Sequence, residues 1–292
     1  MGVSFVVNAT RNSGRISIRR SWLAVTIVLF MLIPFGMAFG SGKDENVKVP
    51  KVLGSDYISP SDPAWQRAKQ EVNDSVLDLL VNHRNEVAKN LPWHRLSRGK
   101  STLKEIALTF DDGPHPAYTP KILEILKRYN VKATFFVVGE MAAKYPDLVR
   151  SEILAGHSVG NHTYHHVNLT KVRSEDVAVE IKACGDIIKA ITGKAPHLFR
   201  PPGGDYDKSV SMVATALGYT TVLWTDDPGD YASPGEKVID ARLLTSVNNG
   251  GIILIHDGIE QTIEVLPYII QTLQSRGYKL VTIDQMIKDK NR

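Results

Sequence analysis

The chain has 292 residues, 43% of them hydrophobic, which is enough to bury one large core and still leave an appendage. Its formal charge of +4 is local: residues 1–40 carry Arg11, Arg15, Arg19 and Arg20 and no acid, and the remainder holds 31 basic and 31 acidic side chains. A formally neutral body lacks the basic stripe that nucleic acid requires, and the single cysteine, Cys184, excludes an internal disulfide.

The four arginines precede an apolar stretch over residues 22–39, broken by Thr26, Pro34 and Gly36. Its 18 residues are slightly long for the apolar region of a signal peptide and slightly short for a membrane span, and both readings imply export. Ala38-Phe39-Gly40 offers small residues for cleavage before Ser41, whereas the Arg-bearing lead suits an uncleaved anchor. Residues 1–40 are therefore expected to be a signal peptide or signal anchor. The rest would lie outside, anchored to the cell membrane and facing outward, or secreted or wall-associated if the segment is cut. No cysteine adjoins the stretch, which argues against a lipid anchor.

Residues 41–100 read as a tether and an amphipathic helix. Asp62 can cap that helix and Pro63 suits its first turn, and Trp65, Ala68, Val72, Val76, Leu79 and Leu80 recur at helical spacing, to about Leu91. From residue 101 to 292 strand-like and helix-like segments alternate. Strands are expected to end near Phe110, Val138, Gly160, Arg200, Trp224, His256 and Thr282, with helical patterns at 120–129, 174–190 and 263–276. These make seven β/α units. A doubly wound sheet gathers its ligands at one switch point, but here notable polar residues follow many strands, as at the mouth of a β/α barrel. Cys184 falls within a helical pattern and reads as a small core residue.

The run Thr109-Phe110-Asp111-Asp112-Gly113-Pro114 closes the apolar segment 106–110 with two carboxylates. Alone it would be a turn. On a strand, adjacent side chains point apart, so one Asp can bind a metal while the other acts as a base. In Asn161-His162-Thr163-Tyr164-His165-His166, His162 and His166 are four apart, on one helical face or in one tight loop. Two imidazoles and a carboxylate are a frequent zinc set that leaves a position for water.

These motifs are followed in order by Arg200-Pro201-Pro202, Asp227-Pro228-Gly229-Asp230-Tyr231 and Leu254-Ile255-His256. Together, over residues 104–287, the chain resembles the polysaccharide deacetylases of carbohydrate esterase family 4. The resemblance implies an α/β fold, a distorted (β/α) barrel with seven or eight strands, hydrolysis of N-acetyl groups, and one divalent metal, Zn2+ first, with Co2+, Mn2+ or Ni2+ as alternatives. It implies that Asp112, His162 and His166 hold the metal, Asp111 is the general base, and His256 is the acid that protonates the leaving nitrogen. Arg200 would orient Asp111, and Asp230 would pair with His256. Pro201, Gly203, Tyr231 and Leu254 would contact substrate, with the Gly203 N–H at the oxyanion and Leu254 at the acetyl methyl.

Two positions depart from the family pattern: Gly203-Gly204 stand where an aromatic side chain often follows the two prolines, and Tyr231 stands where Trp is usual. Among the other histidines, His157 reads as ordering a loop, His165 as pointing away if its segment is helical, His115 as a weak candidate for substrate contact, and His83, His94 and His197 as having no constellation. The expected protein is an exported, monomeric, metal-dependent deacetylase of an acetylated cell-surface polysaccharide, peptidoglycan first, held to the membrane if the N-terminal segment stays uncut. Chitin oligosaccharides, acetylated xylan and small amides are the alternatives. A catalytically silent carbohydrate binder is disfavoured, since a binder has no use for a separate acid and base.

Overall fold

Residues 63–72 and 94–292 are described by the computed structural model of the chain, and both stretches belong to one unit, Pro50–Arg292. The expected signal or anchor segment, and the arm helix beyond residue 72, lie outside the described residues. The arm helix α1 is present over residues 63–72, with Trp65, Ala68 and Val72 buried on one face as their spacing requires.

Among the described residues eight strands follow: β1 (Arg95–Leu96), β2 (Glu105–Asp111), β3 (Thr134–Val137), β4 (Ser158–Asn161), β5 (Leu198–Phe199), β6 (Thr220–Val222), β7 (Gly251–His256) and β8 (Lys279–Val281). Every pairing is parallel, in the order β1-β6-β5-β4-β3-β2-β7, with β8 also on β2. Strand β2 is the hub. One of its edges pairs with β7 from Ile106 to Asp111, and the other is divided between β8, at 105–107, and β3, at 109–111. Beyond β6 the chain swings round so that Asp226 bridges Ile253 of β7, and the Leu254 N–H donates to the Asp226 carbonyl at 2.9 Å. That bridge brings the curled sheet back onto itself and gives the expected distorted barrel.

The intervening helices are α2 (Thr119–Arg128), α3 (Gly139–Lys144), α4 (Pro146–Leu154), α5 (Ser174–Thr192), α6 (Lys208–Ala216), α7 (Glu236–Ser246), α8 (Glu260–Ser275) and α9 (Ile283–Lys290). Strand β2 is buried along its whole length because both faces are covered. Ile106, Leu108 and Phe110 join the large core beneath the helices, where Phe110 stacks on Phe135 at 5.0 Å, and Ala107 joins the smaller cluster with Phe136, Leu198, Val222 and Ile252. Cys184 lies buried in α5 as expected, its S–H donating to the Val137 carbonyl at 3.4 Å, and burial pushes the thiol well away from reactivity. Among the described residues, no helix is long and apolar enough to cross a membrane. Parallel strands all end on one side, and this places Asp111, Asn161, Arg200, Trp224 and His256 at a common mouth.

Candidate active site

Asp111 is the last residue of β2, and Asp112 leaves the strand with φ 72°, a left-handed conformation that Asp tolerates better than most residues. This corrects the alternation expected for the dipeptide. The two carboxylates converge instead of pointing apart: His162 Nε2 lies 3.6 Å from Asp111 Oδ2 and 3.4 Å from Asp112 Oδ1. The turn fits only without a side chain at the next residue, because a Cβ on Gly113 would sit 2.6 Å from Asp257 Oδ2.

His162 and His166 come from a tight loop, not a helix, in which Thr163 has φ 66° and His166 φ 57°. His162 Nδ1–H donates to the Arg200 carbonyl at 2.8 Å, which turns its Nε2 lone pair toward the carboxylates. His166 Nε2 stands 3.0 Å from Asp112 Oδ1, and the two rings are 5.0 Å apart. Ligand atoms of Asp112, His162 and His166 all lie within 4.8 Å of one another. Asp112 Oδ1 is buried and accepts no hydrogen bond from the described residues, and this anionic oxygen faces two imidazole nitrogens. This donor set fits a divalent transition metal. Burial opposes the charge on Asp112, yet the adjacent His162 and His166 hold its carboxyl well below the usual range.

Arg200 follows β5 and is completely buried. Its Nη1 donates to Asp111 Oδ1 and to Thr109 Oγ1, each at 2.7 Å, and Nε donates to the Val222 carbonyl at 3.2 Å. The guanidinium is stacked 4.2 Å from the Phe136 ring and 5.6 Å from that of Trp224. Held by hydrogen bonds and by both rings, it fixes Asp111 in one orientation.

His256 ends β7. Its Nδ1–H donates to Asp230 Oδ1 at 2.7 Å, and its backbone N–H donates to Asp230 Oδ2 at 2.8 Å, an oxygen that also accepts from Thr262 Oγ1 at 2.5 Å. Burial disfavours the imidazolium, but hydrogen bonding to Asp230 and the charges of Asp230, Asp112 and Asp111 outweigh it and raise the pKa to about 9.

A cleft of about 290 Å³ is lined by Asp111, Asp112, His162, His166, Gly203, Trp224, Asp227, Tyr231, Leu254 and His256. Pro201 is not part of the lining: it is buried, and its carbonyl accepts the Gly204 N–H at 3.0 Å. Tyr231 is 60% exposed and meets His256 edge-on at 5.5 Å. Sequence reasoning missed Trp224, which fills space opened by Gly204: a Cβ there would be 2.5 Å from Trp224 Cη2. The signal available was an aromatic residue just past the C-terminal end of a barrel strand. It also assigned no role to Thr109, although that residue opens the first motif, or to Thr262; the two act through Arg200 and Asp230.

His83 lies outside the described residues, and the remaining histidines fall away from the cleft. His157 accepts the Ala133 N–H at 3.1 Å, and burial, with the Lys132 charge, lowers its pKa to about 4, so it orders a loop as a neutral ring. His115 accepts the Ala117 N–H at 3.2 Å and does not line the cleft. His197 pairs with Asp284 at 2.8 Å, a partner its sequence neighbours did not reveal.

The chain belongs to the polysaccharide deacetylase family. The family's model, described as polysaccharide deacetylase, matches residues 98–222. A peptidoglycan-N-acetylglucosamine deacetylase of Bacillus cereus is 38% identical over 193 residues, 64% of this chain and 90% of that protein. The peptidoglycan-N-acetylmuramic acid deacetylase PdaC of Bacillus subtilis is 37% identical over 231 residues, 77% of this chain, which thus spans only 48% of PdaC. Among solved structures, a peptidoglycan N-acetylglucosamine deacetylase bound to a naphthyl N-hydroxybenzamide superposes with a TM-score of 0.65 at 36% identity, covering 66% of this chain and 92% of that one. A family pseudoenzyme from Bacillus anthracis superposes with a TM-score of 0.64 at 30% identity, covering 68% and 70%. The family is one of hydrolases acting on acetylated polysaccharide, yet its fold alone does not guarantee turnover.

Proposed function

We propose that the protein is a metal-dependent N-deacetylase of peptidoglycan that acts outside the cell. The observation that carries this reading is the convergence, in one cleft, of a candidate metal triad, a carboxylate held by a buried arginine, and a histidine paired with a buried aspartate. Asp112, His162 and His166 would hold a divalent ion, Zn2+ first, which when bound polarises an acetyl carbonyl and makes a water molecule more acidic.

The chain's own residues do the rest. Asp111, oriented by Arg200 and facing the cleft, accepts the proton of the attacking water. Gly203, exposed at the cleft with φ 64°, presents backbone N–H to the carbonyl oxygen as it gains negative charge. His256 has its Nδ1 committed to Asp230, so Nε2 is the atom that gives a proton to the departing amine. Raised to about 9, its pKa keeps that proton available at neutral pH. Leu254, almost buried in the wall, offers an apolar surface to the acetyl methyl, and the exposed ring of Tyr231 offers a flat face to a sugar.

The B. cereus and B. subtilis peptidoglycan deacetylases named above support the polymer, and the apolar stretch at 22–39 supports export, as an anchored or a cleaved form. The test is acetate release by the chain from Lys43 onward, chelated and then resupplied with zinc, on purified peptidoglycan and on chitin oligosaccharides. Zinc-restored release from peptidoglycan is the expected result. Release from chitin oligosaccharides alone would replace the polymer, and none from either would favour a small-amide substrate or a silent binder.

A further inference from the structure

The loop that brings His162 and His166 together contains two non-glycine residues at positive φ, Thr163 and His166, and for a β-branched threonine this conformation is costly. Such a loop persists only when its surroundings over-determine it. Glu180 of α5, completely buried, supplies part of that restraint from behind, beside the Gly139 and Glu140 N–H groups that donate to the Thr163 and Tyr164 carbonyls: Oε2 accepts the backbone N–H groups of Tyr164 and His165, each at 2.9 Å, and Oε1 accepts from His165 Nδ1 at 2.8 Å. The ring of His165 therefore points away from the cleft, although the segment is not helical.

What seals this network is not part of the barrel. Trp65 of α1 is 1% exposed, its ring lies 4.9 Å from His165, edge-on, and 6.4 Å from Tyr164, and Glu71 of the same helix pairs with Lys182 of α5 at 2.5 Å. Lys182 is two residues from Glu180, so one short stretch of α5 holds both the loop and the arm. With Trp65 in place, the Glu180 carboxylate is kept from water, which would otherwise compete for its bonds.

We propose that the arm helix α1 is a working part of the metal site: Trp65 is a positioning residue that, through His165 and Glu180, holds the loop in the shape that gathers His162 and His166. This rests on the reading of those two histidines as metal ligands. The catalytic unit then begins near residue 63, well before the family match at residue 98. The segment leading out from the membrane side of the chain becomes a determinant of metal affinity rather than a passive tether.

The experiment measures zinc affinity, by competition with a chromophoric chelator, in the chain from Lys43 onward, with far-UV circular dichroism alongside. Trp65→Ala is expected to weaken zinc binding by about tenfold, the size typical of losing a group behind a metal ligand, and Trp65→Phe to restore most of it. Glu71→Lys, a surface change that sets two cations against each other and leaves the core intact, is expected to weaken binding a few-fold, with recovery in Glu71→Lys/Lys182→Glu. Parental affinity in a folded Trp65→Ala protein, or in Glu71→Lys should Trp65→Ala not fold, overturns the proposal. His162→Ala separates the two failures: if it binds zinc like the parent, the ligand assignment has failed, whereas if it loses zinc and the arm variants do not, only the role of the arm has failed.

Discussion

Asp111 and Asp112 are adjacent in the chain and are assigned different work, and the reason is conformational: one completes the strand beside Arg200, the other turns back through a left-handed residue to face the imidazoles. Their variants are expected to separate cleanly. Asp112→Ala or His162→Ala should lose zinc and acetate release together, measured by metal content and turnover on the same sample. Asp111→Asn should keep zinc and lose turnover by about 10²- to 10⁴-fold, the range of a general base. Full activity with normal metal content in His162→Ala would remove the ligand assignment. His256 sets the alkaline limit. A general acid works while protonated, so with a pKa raised to about 9 the rate should hold through neutral pH and fall as pH rises through that value, while a bound cation would oppose the part contributed by Asp111 and Asp112. In Asp230→Asn the largest influence raising it is gone and burial remains, so the alkaline limb of kcat against pH should move toward acid. An unmoved limb would mean that another group supplies the proton.

At the scale of elements, the strands covered on both faces were legible because such burial writes itself as near-continuous apolar runs, as in 106–110 and 251–255. The edge was not: β1 has two residues, too few for any periodicity, and its pairing with β6 is decided more than a hundred positions away. The site divides the same way. Residue types and order were readable, but the direction of Asp112 was not, since it follows from a positive φ beside a glycine packed on the distant Asp257, nor was the partner of His165, which lies on α5. Gly203-Gly204 stand where an aromatic side chain often follows the two prolines, and in the fold Trp224 packs against Gly204. Gly204→Ala tests whether the exchange matters: with φ 70° and a Cβ 2.5 Å from the indole, it must displace Trp224 or the turn. The expected outcome is a raised KM for polymer with zinc affinity unchanged, read from steady-state kinetics and chelator competition. An unchanged KM would mean that Trp224 does not meet substrate.

For the molecule as a whole, the barrel stores a cost away from the cleft. Glu152 in α4 is completely buried, and neither carboxylate oxygen has a hydrogen-bond partner among the described residues. Burial first, and the charge of Asp257 second, raise its pKa well above 4.5, so the folded protein keeps it as the neutral acid. The unfolded chain ionises near 4.5 and so favours unfolding as pH rises from there, by ~1.4 kcal/mol for each pH unit until the folded group also titrates. Below 4.5 both states are protonated and the term vanishes. Glu152→Gln keeps the shape and removes the titration, so its melting temperature should match that of the parent near pH 4 and exceed it at pH 8, followed by circular dichroism on the chain from Lys43 onward. A constant offset across that range would assign the difference to packing, and no difference at pH 8 would mean that Glu152 is solvated or paired in the folded protein.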